Sequence, residues 1–351
     1  MNFKKITAVL LSTALAASVL TGCGLNKNEV VATLGSTQVK MGLVNFMCRY
    51  EQAGMDDLYR SYFGEDVWQT DLYGSGETME ETVKDEVMEY LHELYALADA
   101  DHMAEYGVEL TDEENAKITE VASTFMAANS KEALNEMGAT QDIVEEMLRL
   151  FTIKSKMDVA IQETADTEVS DEEANMRAFT MASAGISTYL DSSTYTYVEY
   201  TEDEVAEITE AMDNLYAEIQ GGADWETAAD ELGITVTTDT YDADDDTLED
   251  AVKEALDGLK EGETSSLITT EEAIYIVRLD SECDEEATEE NRENIIATRK
   301  EDKYEEVLTA WEEEDGWTVK ESALNKISFK NVFTQETETE EAATESATEA
   351  E

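Results

Sequence analysis

The sequence contains no proline, two histidines and three cysteines, and only 23 basic residues stand against 84 acidic ones. Each shortage excludes something. Without proline, no X-Pro bond of the chain's own slows its folding. His92 and His102 are ten residues apart, not one helical turn, so they form no HExxH-type zinc pair. A Ser or Cys nucleophile would have to recruit one of these two as its base. No GxSxG and no glycine-rich phosphate loop occurs, so hydrolase and nucleotide-binding readings fall away. The shortage of Lys and Arg leaves no basic patch, which argues against nucleic acid as a partner. Anionic lipid head groups would repel a body of formal net charge −61. That charge gives a highly solvated surface, disposed toward basic partners rather than acidic ones. Beyond Cys23, only Cys48 and Cys283 remain, neither in a CxxC spacing. They read as free thiols, with a single disulfide as the alternative. Nothing here implies a cofactor.

Long apolar runs are equally scarce. The one present, Ile6 to Leu20, follows Lys4 and Lys5 and is broken only by Ser12, Thr13 and Ser18. It is shorter than the roughly 20 apolar residues that span a bilayer and has the proportions of a signal peptide. It ends in Leu20-Thr21-Gly22-Cys23, which resembles the bacterial lipobox. The resemblance implies that residues 1–22 are removed, and that Cys23 becomes the lipid-bearing (palmitate-type) first residue. The mature protein would then hang from the extracytoplasmic face of the cell membrane. The leader is expected to take no part in the fold, and residues 24–28 to act as a tether.

Apolar periodicity organises the rest. Residues 29–34 and 36–40 read as a hairpin about Gly35. A helix starts near Gly42, and residues 54–78 read as irregular. From Met79 a long helix presents Val83, Val87, Tyr90, Leu91, Leu94 and Leu97 on one face. Thr111 with Glu114, and Ser170 with Glu173, have the form of capping boxes. Thr140 opens a helix to about Glu163. From Met176 the pattern changes: a strand over 177–186, a Tyr/Ser/Thr-rich loop, a helix over 204–220, a short helix capped by Asp224, a strand over 234–238, a helix over 248–259, and a strand over 273–279. A charged helix over 291–313 and strands at 317–319 and 326–329 follow. Residues 335–351 are only Gln, Glu, Thr, Ala and Ser, and are expected to be disordered.

Among so many carboxylates, Asp242, Asp244, Asp246 and Asp250 fall at positions one, three, five and nine of a calcium loop. Thr247 stands where that loop needs Gly, and Lys253 where it needs a bidentate Glu. An acidic turn meeting a helix N-terminus is the simpler reading.

Three stretches in order carry a family resemblance. They are Gly221-Gly222-Ala223-Asp224-Trp225 with Ala228-Ala229, then Leu259-Lys260-Glu261-Gly262-Glu263-Thr264-Ser265, and Tyr275-Ile276-Val277-Arg278-Leu279. Residues 176–279 thereby resemble a parvulin-type peptidyl-prolyl isomerase domain, as found in PrsA-like foldase lipoproteins and SurA-like chaperones. With its flanks the likeness covers about residues 29–330. Active parvulins carry a His on the first strand and another on the last. Here the matching positions hold Thr180 and Tyr275, and the pocket wall on the third helix reads as Leu248 and Val252. An alternative first strand, 194–200, has no His either. Isomerisation requires only a pocket that favours the twisted bond, so this pattern implies weak or absent turnover.

The resemblance implies an α+β protein, with a mainly helical chaperone domain holding an inserted, small parvulin-like α/β domain. The expected segments are a signal peptide (1–22), a helical chaperone region (23–165), the parvulin-like domain (166–282), a C-terminal helix and strands completing the chaperone domain (283–333), and an acidic tail (334–351). The function implied is a membrane-anchored extracytoplasmic chaperone for unfolded exported polypeptides. The alternatives are an active isomerase with a divergent pocket, and a solute-binding lipoprotein, for which the strands counted are too few.

Overall fold

The structure, a computed structural model, describes residues 15–17 and 25–335. The lipobox with Cys23 and the tail from residue 336 lie outside the described residues. The chain divides into two compact units, one formed by the described parts of Met1–Ala165 and Lys300–Glu351, the other by Asp166–Arg299.

In chain order the elements are β1 (Leu15–Ala17), β2 (Val30–Leu34), β3 (Thr37–Lys40), α1 (Met41–Phe63), α2 (Met79–Leu97), α3 (Ala100–Glu105), α4 (Asp112–Ala128), α5 (Lys131–Met137), α6 (Gln141–Gln162) and α7 (Asp171–Ala174). There follow β4 (Arg177–Gly185), β5 (Thr188–Asp191), β6 (Thr196–Glu199), α8 (Glu202–Gln220), α9 (Trp225–Leu232), β7 (Thr235–Tyr241), α10 (Asp250–Gly258), β8 (Ile268–Thr269) and β9 (Ala273–Ser281). The last elements are α11 (Glu285–Glu314), β10 (Thr318–Val319), α12 (Glu321–Leu324) and β11 (Phe333–Gln335). This is the α+β architecture expected. No described helix is long and apolar enough to cross a membrane.

In the first unit β2 and β3 form the hairpin about Gly35, whose φ of 54° suits glycine. β10 returns to pair with β2. Helices α1, α2, α4 and α6 bury one core, in which Phe46 meets Phe125 edge-on and Trp68 meets Phe329. Full capping boxes start α2, at Thr78 with Glu81, and α4, at Thr111 with Glu114. A smaller cluster of Leu97, Ile153, Met157 and Ile161 packs against Tyr304, Val307, Leu308 and Trp311.

Several expectations are corrected here. The stretch from residue 54 is not irregular at its start, because α1 continues to Phe63. Its buried face switches to polar residues, which hides the helix from an apolar count. Arg49, Gln52 and Asp56, at steps of three and four, all point inward. Arg49 donates to the carbonyls of Ser328 (2.7 Å) and Asn331 (2.8 Å) and to Glu136 (3.0 Å). Gln52 donates to the carbonyls of Phe329 and Asn331. Asp56 accepts from Trp68 Nε1 (2.9 Å) and the amide of Phe333 (2.5 Å). Residues 326–329 are consequently no strand: the amides of Lys326 and Ile327 turn back to the carbonyls of Ala323 and Leu324, the carbonyls of Ser328 and Phe329 accept from side chains of α1, and the Phe329 amide donates to Glu80. The tether is shorter than expected, since Lys27 Nζ donates to the Gly138 carbonyl at 2.9 Å and Leu25 packs on the core. The leader was expected to stay out of the fold. In the full chain Leu15–Ala17 pairs antiparallel with Phe333–Gln335.

In the second unit a four-stranded antiparallel sheet has the order β7-β4-β9-β8. Helices α8 and α9 cover one face, with Met212, Leu215, Trp225 and Ala229 against Ala182, Ile274 and Ile276. Helix α10 covers the other, with Val252 and Leu256 against Phe179, Val277 and Leu279. Asp224 caps α9 by accepting from the Thr227 amide. The box at Ser170 is only half formed: Ser170 accepts from the Glu173 amide, but Glu173 turns its carboxylate to Arg299. The full box of this unit starts α8, at Thr201 with Glu204. The Tyr/Ser/Thr-rich segment is no loop but a hairpin of β5 and β6.

Candidate parvulin-type site

Strand alternation places two of the four sequence-chosen residues, Thr180 and Tyr275. In the β4–β9 ladder Thr180 pairs with Arg278, and Tyr275 pairs with Ser183. Paired residues share a face and successive residues alternate, so an odd step puts Thr180 and Tyr275 on opposite faces of the sheet. The structure does not bring them together. On Tyr275's face the β4 residues are Phe179 and Met181, and there Leu248 and Val252 join the same cluster.

Thr180 is buried and fully engaged. Its hydroxyl donates to Asp280 at 2.6 Å and accepts from Arg278 Nη2 at 3.0 Å. The Arg278 guanidinium closes the triad on Asp280 and lies 5.2 Å over the Trp225 ring. Tyr275 is half-buried, and its hydroxyl donates to Glu249 at 2.5 Å. Burial first, then that bond, pushes the phenol up to about 12. Val252 is sealed in the core and Leu248 is half-buried. Next to them Arg177 donates to Tyr241 and Asp257, fixing β4 to the end of α10.

The turn before the last strand is held by backbone. Gly262, at φ 80°, donates to the Leu279 carbonyl, and Ser265 exchanges bonds with Val277 through its amide and its Oγ. The Asp242–Asp250 stretch is organised around a cation of the chain itself. The Lys253 ammonium donates to the carbonyls of Ala243 and Asp245, each at 2.7 Å, while Asp245 accepts from the amides of Thr247 and Leu248.

Both imidazoles belong to the first unit, each stacked on a tryptophan. His92 lies on Trp317 and bonds Asp315 at 2.8 Å; His102 lies on Trp311 and bonds the Ala96 carbonyl. Cys48 is buried and Cys283 exposed, both as free thiols.

Residues 191–286, which hold this run of helices, turn and last strand, match a family model described as the PPIC-type PPIASE domain. Within the second unit, this stretch is similar to a PPIC-type domain. The match begins after β4, yet it is β4 that pairs along the full length of β9, while residues 196–199 lie in the separate hairpin. The alternative first strand at 194–200 is thereby set aside. Among solved structures the chain is similar to the foldase protein PrsA of Lactococcus lactis, at 18% identity over 86% of this chain and 98% of that one, with a TM-score of 0.34. It is similar to a peptidylprolyl isomerase, PrsA, of Bacillus cereus, at 14% identity over 85% and 96%, with a TM-score of 0.29. It is also similar to a SurA-like chaperone of Campylobacter jejuni, at 9% identity over 84% and 100%, with a TM-score of 0.27. No curated protein matches. The superpositions are loose, and the family likeness rests on the match over residues 191–286.

Proposed function

We propose that this chain is a chaperone of the foldase type that binds unfolded exported polypeptides, anchored by lipid on Cys23 at the extracytoplasmic face of a bacterial membrane, with a PPIC-type domain of weak or absent isomerase activity. The observation that carries the reading is the PPIC-type domain itself, inserted between the two parts of a helical unit.

The weak-activity reading is supported by the chemistry of the α10 face. A prolyl bond turns over a barrier of about 20 kcal/mol when its twisted form is bound better than its planar one. Tyr275 spends its proton on Glu249, Thr180 faces the other way, and Val252 is core. No imidazole stands on either strand. The solute-binding alternative needs two lobes of repeated strand–helix units. The first unit instead pairs helices with a three-stranded sheet and one two-stranded pairing.

The test uses the mature chain on a proline-containing peptide and on an aggregating unfolded exported protein. Aggregation should be suppressed with little acceleration of isomerisation. Turnover matching an active parvulin, and lost in Tyr275→Ala, would overturn the weak-site reading. Failure to suppress aggregation of any unfolded exported protein would overturn the chaperone reading.

A further inference from the structure

The β5–β6 hairpin has no partner among the described residues, and its composition is unusual for an open ribbon. β5 and β6 pair only with each other, and every residue of β6 is exposed. Leu190 pairs directly with Tyr197, so both stand on one face, at 53% and 77% exposure. Glu199, paired with Thr188, shares that face. Tyr195 is 81% exposed at the tip. It is held there at φ 54°, its amide donating to the Asp191 carbonyl while the Asp191 carboxylate accepts from Ser193. A non-glycine residue in the left-handed region is uncommon, and here the turn that imposes it places an aromatic residue in solvent.

Natural proteins guard exposed edges with lysine or proline. This ribbon has neither. The chain has no proline, and between Arg177 and Lys253 it has no Lys, Arg or His at all, while that span holds twenty carboxylates. What protects this edge is its shortness, four residues a strand, and negative charge. A second acidic edge is repelled; a cationic one is not.

We propose that the β5–β6 ribbon is a docking edge for an extended cationic-apolar segment of an unfolded polypeptide, which adds as a further strand beside Leu190 and Tyr197. Main-chain pairing would accept many sequences. Tyr197, Leu190 and Tyr195 supply exposed apolar surface for the docked strand to cover. Glu199 and the surrounding carboxylates select Lys and Arg in the docked strand. This rests on the client-binding reading above and names its substrate class.

The test is binding of labelled twelve-residue peptides to the full mature chain. One peptide alternates leucine and lysine, one alternates leucine and glutamate, and a third is the lysine peptide N-methylated along one edge. The lysine peptide should bind, more weakly as salt rises; the glutamate and N-methylated peptides should not. Leu190→Ser with Tyr197→Ser, both at exposed positions, should leave the melting temperature unchanged and weaken binding about tenfold. Glu199→Lys should shift preference toward the glutamate peptide. Equal binding of both charge types, unchanged binding by the double variant, or ribbon-dependent dimerisation without peptide binding would overturn the proposal. If the double variant binds as before while the chain still suppresses aggregation, the ribbon assignment fails and the client-binding reading stands. If neither peptide nor any unfolded protein binds, both fail.

Discussion

Thr180 and Tyr275 lie on adjacent strands of one sheet with their side chains on opposite faces, because Thr180 pairs with Arg278 and Tyr275 with Ser183. Installing histidine at both positions therefore cannot build an imidazole pair. The combination Thr180→His and Tyr275→His should leave isomerase turnover at the wild-type level. Thr180→His alone should cost about 1–3 kcal/mol, since a larger ring must replace a buried hydroxyl bound to Asp280 and Arg278. Thermal melts and a prolyl-peptide assay check the two arms. A gain of turnover in the double histidine variant would refute the register.

Phe333 is held by Asp56, which also takes the Trp68 indole. The Phe333 ring is buried, with the Arg49 guanidinium 4.8 Å from its centroid. Truncation after Gln335 should leave the melting temperature nearly unmoved, whereas Phe333→Ala should cost about 3–5 kcal/mol. Asp56→Ala should cost about 1–3 kcal/mol for each donor left unpaired. Equal melting curves for the Phe333 variant and the wild type would show that the C-terminal strand is not docked.

The caps of α2 and α8 should respond to acid. The backbone amide and then the hydroxyl of Thr78 hold Glu81 below the usual carboxylate range, and those of Thr201 do the same for Glu204. A depressed folded pKa contributes stability above the unfolded value, about 4.3 for Glu, and loses it as pH falls through the folded one. Amide exchange at Thr78 and Thr201 should accelerate as pH falls below about 4, relative to the intrinsic rate. In Glu81→Gln and Glu204→Gln that acid dependence should vanish. Persistence of the acid response in the Gln variants would place its origin elsewhere.

The cysteines should separate by chemistry. Burial pushes the Cys48 thiol up to about 12, while Cys283 is exposed. An alkylating reagent under native conditions should label Cys283 and spare Cys48 until the chain unfolds. Cys23→Ser should release the protein from membranes or block removal of the leader, read by fractionation and mature mass. Unchanged retention and mass would rule out the lipid anchor.

Much was legible in the sequence because its signals are local. Apolar steps of three and four gave α2, α6, α8 and α10. Side chains reaching three residues along gave the caps at Thr111, Thr140 and Asp224. A left-handed glycine marked the hairpin at Gly35 and the break at Gly138. The PPIC-type pattern itself is a run of such local signals. What the tertiary structure decided depends on partners far along the chain. Arg49, Gln52 and Asp56 add nothing to an apolar count, so the count loses the helix near residue 54; their burial depends on residues 328–333, some 280 positions later, which take their hydrogen bonds. Glu173 left its capping box because Arg299 was within reach. Register between β4 and β9, which separates Thr180 from Tyr275, is set by a bulge between Ala178 and Phe179 and by two different helical layers. One residue of slip exchanges every side chain between faces, and no local signal in either strand fixes that slip.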